Sequence, residues 1–186
     1  MGRRLSCTGF QVGNVTIPPF ECLDNELLGL VIPIPYGETW YEIQQFIAGV
    51  HQSPSVEMFT KAELVEPLRK EEFLSSVKEY IEEAGLSNKS IDNLMKNIGL
   101  KPDGLYHELQ FTPKLLLDLQ IAREQGAKLV IFSTAGLDPK GILTVINSLS
   151  HHLNQCSAIN FISASLLSDH EAMGKYSRMI KCEALR

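Results

Sequence analysis

Between an apolar run, Leu27 to Ile32, and a helical pattern closing on Ala48-Gly49 stands the stretch Ile32-Pro33-Ile34-Pro35-Tyr36-Gly37-Glu38-Thr39. Strand, short turn and helix in that order are the layout of a phosphate-binding loop. In such a loop backbone N–H groups cradle the phosphates and a lysine neutralises them. Here Glu38 occupies the lysine's place, Gly37 alone supplies a glycine, and Pro35 has no N–H to donate. At a separation of ~4 Å and an effective dielectric of ~20, each unit-charge interaction is worth about 4 kcal/mol. Exchanging an attraction for a repulsion is therefore comparable to a whole micromolar affinity, about 8 kcal/mol. Gly37, Glu38 and Thr39 read as the vestige of a nucleotide loop, with Thr39 left to cap or pack the helix start. Trp40, next in line, packs in the core or fills the vacated pocket.

Other chemistry is thin. There is no G-x-S-x-G, the four cysteines Cys7, Cys22, Cys156 and Cys182 lack a patterned histidine partner, and no C-x-x-C spacing occurs. The cysteines read as reduced thiols. His107, His151, His152 and His170 show no metal-ligand spacing and are expected to be solvated or to pack. The carboxylate pairs Glu71-Glu72 and Glu82-Glu83 fall on a solvated helix face. No metal site and no cofactor are expected.

The elements that position these residues follow from periodicity. Phe10 to Ile17 alternates as an exposed antiparallel strand does, and Pro18-Pro19 ends it. Glu26 to Ile32 is a buried strand, Thr39 to Ala48 a helix, and Gly49 is placed to end that helix. From about Glu63 to Ile98 the pattern is helical, with Gly85 as a stop and Ser90 as the cap of a restart. A further helix, Thr112 to Gln125, leads through Gly126 into the strand Leu129 to Phe132. Ile142 to Leu153 is a helix, Ala158 to Ile162 a strand, Ser168 to Lys175 a short helix and Arg178 to Cys182 a strand. Strands alternating with helices imply an α/β fold with a mostly parallel sheet and flanking helices. To this are added a small N-terminal antiparallel region and a helical insert over about 63–118, all in a single domain of 186 residues.

Bulk composition excludes several classes. The net charge is −5, the pI is about 5.5 and the basic residues are scattered, so no nucleic-acid partner is expected. No stretch reaches the ~18–20 apolar residues of a membrane span, and the start of the chain lacks a signal-peptide pattern. A cytoplasmic protein is expected, with any membrane association peripheral and through a partner.

Several stretches resemble the ATP-binding cassette (ABC) ATPase family, and look closest to the ATPase subunits of bacterial export systems. Lys128-Leu129-Val130-Ile131-Phe132-Ser133-Thr134-Ala135-Gly136-Leu137-Asp138-Pro139-Lys140-Gly141 is similar to K-L-L-I-L-D-E-P-T-A-G-L-D-P-K-G, in full agreement from Thr134 to Gly141. Ile162-Ser163-Ala164-Ser165-Leu166-Leu167-Ser168-Asp169-His170-Glu171-Ala172-Met173 resembles I-S-S-H-I-L-S-E-I-E-A-L. Pro33, Gly37 and Thr39 fall in register with G-P-N-G-S-G-K-T-T, and Ala84 to Leu100 has the rhythm of the family's helical subdomain. The resemblance runs from about Phe10 to the C-terminus and implies a P-loop NTPase fold.

It also implies where hydrolysis would need its groups. The family's acid pair, an aspartate for magnesium and a glutamate for the attacking water, is deleted on one alignment. It falls on Ile131 and Phe132 on a second and on Ser133 and Thr134 on a third; no alignment supplies a carboxylate. The signature loop falls on Phe111 to Leu115, where Thr112 stands in for its serine and Pro113 replaces a glycine. The switch histidine falls on Ser165, and Gln52 matches the glutamine loop by letter only. Gly136, Leu137 and Asp138 survive as the turn that in the family crosses a dimer interface. That turn reads equally as a tight strand-to-helix connection in which Asp138 caps the helix and Pro139 opens it. The resemblance thus implies an inactive ATPase-like subunit whose partner is an active ABC ATPase homologue, a membrane permease or a second copy. The alternatives left open are a small-ligand-binding regulator using Tyr36, Trp40 and Tyr41, and a free-standing adaptor.

Overall fold

The computed structural model of the protein describes residues 2–33, 48–50, 52–65 and 75–184. Along the chain run β1 (Arg3–Cys7), β2 (Phe10–Val12), β3 (Val15–Ile17), β4 (Phe20–Leu23), β5 (Leu27–Ile32), β6 (Val56–Met58) and β7 (Ala62–Leu64). Three helices follow, α1 (Val77–Glu83), α2 (Asn88–Ile98) and α3 (Phe111–Glu124), with a 3-10 turn at Tyr106–Glu108. Then come β8 (Leu129–Ser133), α4 (Pro139–Ser150), β9 (Ser157–Ser163), a 3-10 turn at Ala164–Leu166, α5 (Leu167–Ala172), β10 (Arg178–Lys181) and β11 (Glu183–Ala184). The chain forms two compact units, Met1–Leu64 with Ala127–Arg186, and Val65–Gly126. Among the described residues no helix is long and apolar enough to cross a membrane.

The first unit is built on a five-stranded parallel sheet in the order β10-β5-β9-β8-β7. β5, β8 and β9 are buried along their whole length, as parallel strands covered on both faces must be. Alternation sorts their side chains. Leu28, Leu30, Ile32, Leu129, Ile131, Ile159 and Phe161 share a core with Leu5, Cys7, Val15, Ile17, Phe20 and Cys22 of the antiparallel strands. Gly29, Val130, Phe132 and Asn160, one residue out of step, point to the other face. Two antiparallel sheets, β4-β1-β6 and β11-β3-β2, complete the unit. The starts of β5 and β10 are tied together by Glu26, which accepts from the Leu23 N–H at 2.8 Å and from Arg178 Nε at 2.7 Å and Nη2 at 3.2 Å.

Four expectations are corrected here. The stretch Phe10 to Ile17 is a hairpin, not one strand. Val12 pairs with Val15, so Gly13-Asn14 is a two-residue loop, and the φ of +57° at Gly13 is the glycine-first II′ arrangement. Gly49 does not end its helix, since residues 48–50 and 52 are helical and its φ is not positive. A Cβ there would lie 3.2 Å from Val12 Cγ2 and 3.4 Å from Phe10 Cε2, so the glycine lets the helix approach the hairpin. Glu63 lies in β7, the edge of the parallel sheet, rather than in a helix. Last, α2 starts at Asn88, so Ser90 is inside it and not its cap.

The second unit has its own core of Val77, Ile81, Ile91, Met95, Tyr106, Leu117 and Ile121. A capping box opens α1: Ser76 Oγ accepts from the Glu79 N–H at 3.2 Å, and Glu79 Oε2 accepts from the Ser76 N–H at 2.8 Å. Gly85, at φ +76°, follows the end of α1 in the left-handed conformation that suits a helix stop, as its place in the sequence implies.

Candidate functional site

In a parallel sheet all strands end at the same edge, and ligands of such folds bind in the crevice beyond their carboxyl ends. Here β5, β8 and β9 deliver Ile32, Ser133-Thr134 and Ser163 to that edge, with Ile32 opposite Ser163 and Ser133 opposite Phe161. The hydroxyls of Ser133 and Thr134 are both engaged by the protein. Ser133 Oγ donates to the Phe161 carbonyl at 2.9 Å and accepts from the Ala135 N–H at 3.0 Å. Thr134, wholly buried, lies against Asn160 and His170.

Asn160, Thr134, His170 and Tyr176 form a polar network. Asn160 Oδ1 accepts from the Thr134 N–H at 3.1 Å, and Asn160 Nδ2 donates to Thr134 Oγ1 at 3.1 Å and to the Tyr176 hydroxyl at 2.6 Å. The imidazole of His170 bridges the remaining gap, with Nδ1 2.7 Å from the Tyr176 hydroxyl and Nε2 3.2 Å from Thr134 Oγ1. Burial lowers the His170 pKa from 6.5 to about 4, against a small opposing pull from Asp169, so the ring is neutral at pH 7. A neutral ring has one donor and one acceptor. If Tyr176 donates to Nδ1, then Nε2–H donates to Thr134 and the Thr134 hydroxyl is free to reach Asn160 Oδ1 at 3.4 Å. That assignment leaves no donor of the four side chains unused. Burial also pushes the Tyr176 phenol upward, so it stays protonated.

Beside the network is an open cleft of about 220 Å³ lined by His170, Glu171, Gly174, Tyr176, Arg178 and Met179. Gly29 makes room for this corner, because a Cβ there would lie 2.9 Å from Ile162 Cδ1, 3.2 Å from Met179 Cγ and 3.3 Å from Tyr176 Cδ1. The guanidinium at the cleft wall is already held by Glu26.

The residues singled out in the sequence are scattered by comparison. Gly37, Glu38 and Thr39 lie outside the described residues, as do Tyr36, Trp40 and Tyr41. Thr112 and Pro113 belong to the second unit, where they are the second and third residues of α3, so the expected loop is helix. Pro113 costs that helix no bond, since the first N–H groups of a helix have no intrahelical acceptor. Ser165 is exposed in the 3-10 turn after β9, its Oγ 2.8 Å from Ser163 Oγ. Gln52 is helical and exposed.

The surviving turn follows the end of β8 directly. Gly136 has φ +86°, the Leu137 N–H donates to the Thr134 carbonyl at 3.2 Å, and Asp138 Oδ1 accepts from the Gly141 N–H at 2.6 Å as the cap of α4, with Pro139 at its first position. Leu137 is buried, while Gly136 and Asp138 are exposed. The strand-to-helix reading of the turn thus describes its geometry. All four cysteines are buried thiols outside any disulfide. Burial is the main cause that pushes the Cys22 and Cys182 thiols up to about 12.

Sequence reasoning passed over the network and one more group, Asp118. That carboxylate is buried in α3 between the hydroxyls of Tyr80 and Tyr106. The available signal was a polar letter in an apolar frame: Asn160 inside Ala158 to Ile162, His170 where the resembling pattern has isoleucine, and Asp118 inside Leu115 to Ile121.

The groups at the end of β8 do not suit a magnesium ion, which prefers carboxylates and water, because the Ser133 and Thr134 hydroxyls there are already engaged within the protein. Among the described residues no three His, Cys, Asp or Glu side chains group to hold a metal.

No protein-family model matches the chain, and no curated protein matches it in sequence. Solved structures do match in fold. An inward-facing structure described as a metal-chelate type ABC transporter superposes with a TM-score of 0.73 at 13% identity, over 98% of this chain and 80% of that one. CbiO1 from Clostridium perfringens, part of the ABC transporter complex cbiONQ, gives 0.68 at 15% identity, over 98% and 86%. The ADP conformation of MJ1267, an ATP-binding cassette of an ABC transporter, gives 0.70 at 10% identity, over 97% and 87%. The five-stranded parallel sheet, its helices and its small antiparallel sheets are therefore the fold of an ABC transporter ATPase domain.

Proposed function

We propose that this protein is a non-catalytic ABC ATPase-like subunit that pairs with an active ATPase homologue or a membrane permease of a bacterial export system. It keeps the architecture of a nucleotide-binding domain without binding or hydrolysing nucleotide. The observation that carries this reading is the end of β8. On the alignment that matches the strand ends, Ser133 and Thr134 fall where the resembling family holds magnesium and aims water, and here their hydroxyls bond to Phe161, Asn160 and His170. Glu38 in the lysine's place and Ser165 in the switch histidine's place agree with it.

The pairing half has separate support. Leu143 is a large apolar side chain 44% exposed on α4, one turn beyond Pro139 and so on the same helical face. With the exposed Gly136 and Asp138 beside that face, the turn and the start of α4 form the surface we assign to the partner. The protein would then work in the cytoplasm, reaching the membrane through that partner.

Calorimetry of the intact protein with magnesium and ATP, alongside phosphate release, tests the first half. The expected result is no saturable heat at micromolar protein and no release above buffer, and micromolar binding with turnover would overturn it. Co-purification from the native host tests the second half, the expected companions being a permease or an intact ATPase. Nucleotide-independent binding of a small aromatic ligand would favour the regulator reading instead.

A further inference from the structure

Just past the end of β8 the chain reaches the surface assigned to the partner, and its path there is set by side chains from β9 and α5. Ser133, Thr134, Ala135 and Leu137 are buried, while Gly136 and Asp138 are exposed. The buried residues anchor the turn and the exposed ones present it.

The backbone donors of the buried residues are spent within the sheet unit. The Thr134 N–H donates to Asn160 Oδ1 at 3.1 Å, the Ala135 N–H to Ser133 Oγ at 3.0 Å, and the Leu137 N–H to the Thr134 carbonyl at 3.2 Å. The last bond closes a four-residue turn with Gly136 third at φ +86°, the left-handed position that a type II turn reserves for glycine. Asp138 Oδ1 then accepts from the Gly141 N–H and fixes the start of α4.

Thr134 is the pivot, because its N–H and its carbonyl both serve the turn and its hydroxyl is held from two sides. Asn160 Nδ2 and His170 Nε2 lie 3.1 and 3.2 Å from Thr134 Oγ1. The Tyr176 hydroxyl ties the same two side chains together, at 2.6 Å from Asn160 Nδ2 and 2.7 Å from His170 Nδ1. Asn160 and His170 are wholly buried. A buried polar group deprived of its partner is costly, so each of these bonds resists a shift of Thr134 and, through its carbonyl, of the turn.

We propose that this network presets the Gly136-Leu137-Asp138 turn for its partner, with Asn160 and His170 as positioning residues, so that the surface has its docking shape with or without nucleotide. Binding then does not have to order the turn, a cost that a mobile loop carries into an interface. The inference rests on the reading of this turn as the partner's surface and adds how that surface is regulated: it is constitutive.

Residue-resolved amide exchange on the intact protein at pH 7, with and without magnesium ATP, tests it. The Thr134, Ala135 and Leu137 amides should be protected without nucleotide and unchanged on its addition. In Asn160→Leu, close in size but without the acceptor, the Thr134 and Leu137 amides should exchange about tenfold faster, the loss of one buried hydrogen bond, while the amides of Val130 to Phe132 keep their rates. Turn amides that exchange freely in the wild type, or that gain protection only with magnesium ATP, would overturn the proposal. So would a variant that leaves them unchanged or speeds all of β8 evenly. If the variant does not fold, the wild-type comparison decides. ATP binding by calorimetry with the turn protected throughout sinks the non-catalytic reading alone, and an unprotected turn in a protein that binds no ATP sinks this inference alone.

Discussion

His170 in the sheet unit and Asp118 in the helical unit are built alike and behave oppositely. Each is a buried titratable side chain hydrogen-bonded to tyrosine hydroxyl, and in each burial is the leading influence. Burial penalises whichever form is charged, so it lowers the histidine and raises the aspartate. The folded His170 pKa, about 4, lies below the unfolded 6.5, so as pH falls through that window the unfolded chain takes up the proton first and stability is lost. The folded Asp118 pKa, about 7, lies above the unfolded 3.8, so its stabilisation is complete at low pH and is lost as pH rises through that window. Acid weakens one unit and relaxing acidity weakens the other. What differs is not the architecture of the two sites but the sign of the charge each avoids.

The comparison can be broken at either side. The largest effect belongs to Asp118→Asn, which keeps a carbonyl for Tyr80 and removes the buried charge. At pH 8 it should stabilise the helical unit by up to about 4 kcal/mol, the full linkage of the shift, with the gain disappearing below about pH 4. Denaturant titrations followed by exchange of α1 and α3 peptides measure it, and a gain that does not depend on pH would mean the charge is not its source.

Next is His170→Ile, the residue of the resembling pattern. The wild type is expected to lose about 3 kcal/mol between pH 6.5 and 4, and that loss should be absent from the variant's sheet unit. At pH 7 it should still be less stable by about 1–3 kcal/mol, because Thr134 and Tyr176 lose a partner in a buried place. A variant that stays acid-sensitive over that window would assign the sensitivity to another group.

Smaller again is Tyr176→Phe, which removes the hydroxyl shared by Asn160 and His170. It should cost about 1–2 kcal/mol, with exchange rising in β9 and α5 while α1 and α3 are unchanged. The smallest effect is that of Asp138→Ala at the α4 cap. About 1 kcal/mol is expected, confined to the first turn of the helix. A much larger loss there, with native folding preserved, would give the turn a role beyond capping.

These sites also mark where the sequence was legible. Asp138-Pro139 and Gly85 act within their own helix ends, so local rules found them. The apolar runs Leu27 to Ile32 and Leu129 to Phe132 declared buried strands because a strand covered on both faces has no reason to alternate. Ser76 and Glu79, at capping-box spacing, and Gly13-Asn14, at hairpin spacing, were equally local and were passed over. The helical reading of Glu63 failed because a three-residue edge strand carries too short a pattern to compete with the charged helix that follows.

What no local rule reaches is the pairing of distant polar residues. Thr134 meets Asn160 and His170 across 26 and 36 residues, and Tyr80 meets Asp118 across 38. Periodicity reports which face a residue occupies, not which side chain from another element will stand opposite it. By itself, then, the sequence determined the alternation of strands and helices, the α/β class and the capped turn after β8, because those depend on neighbours in the chain. Only the tertiary structure decided that His170 is a buried neutral bridge and Asp118 a buried acid between two tyrosine hydroxyls, because burial and partner choice arise when elements pack.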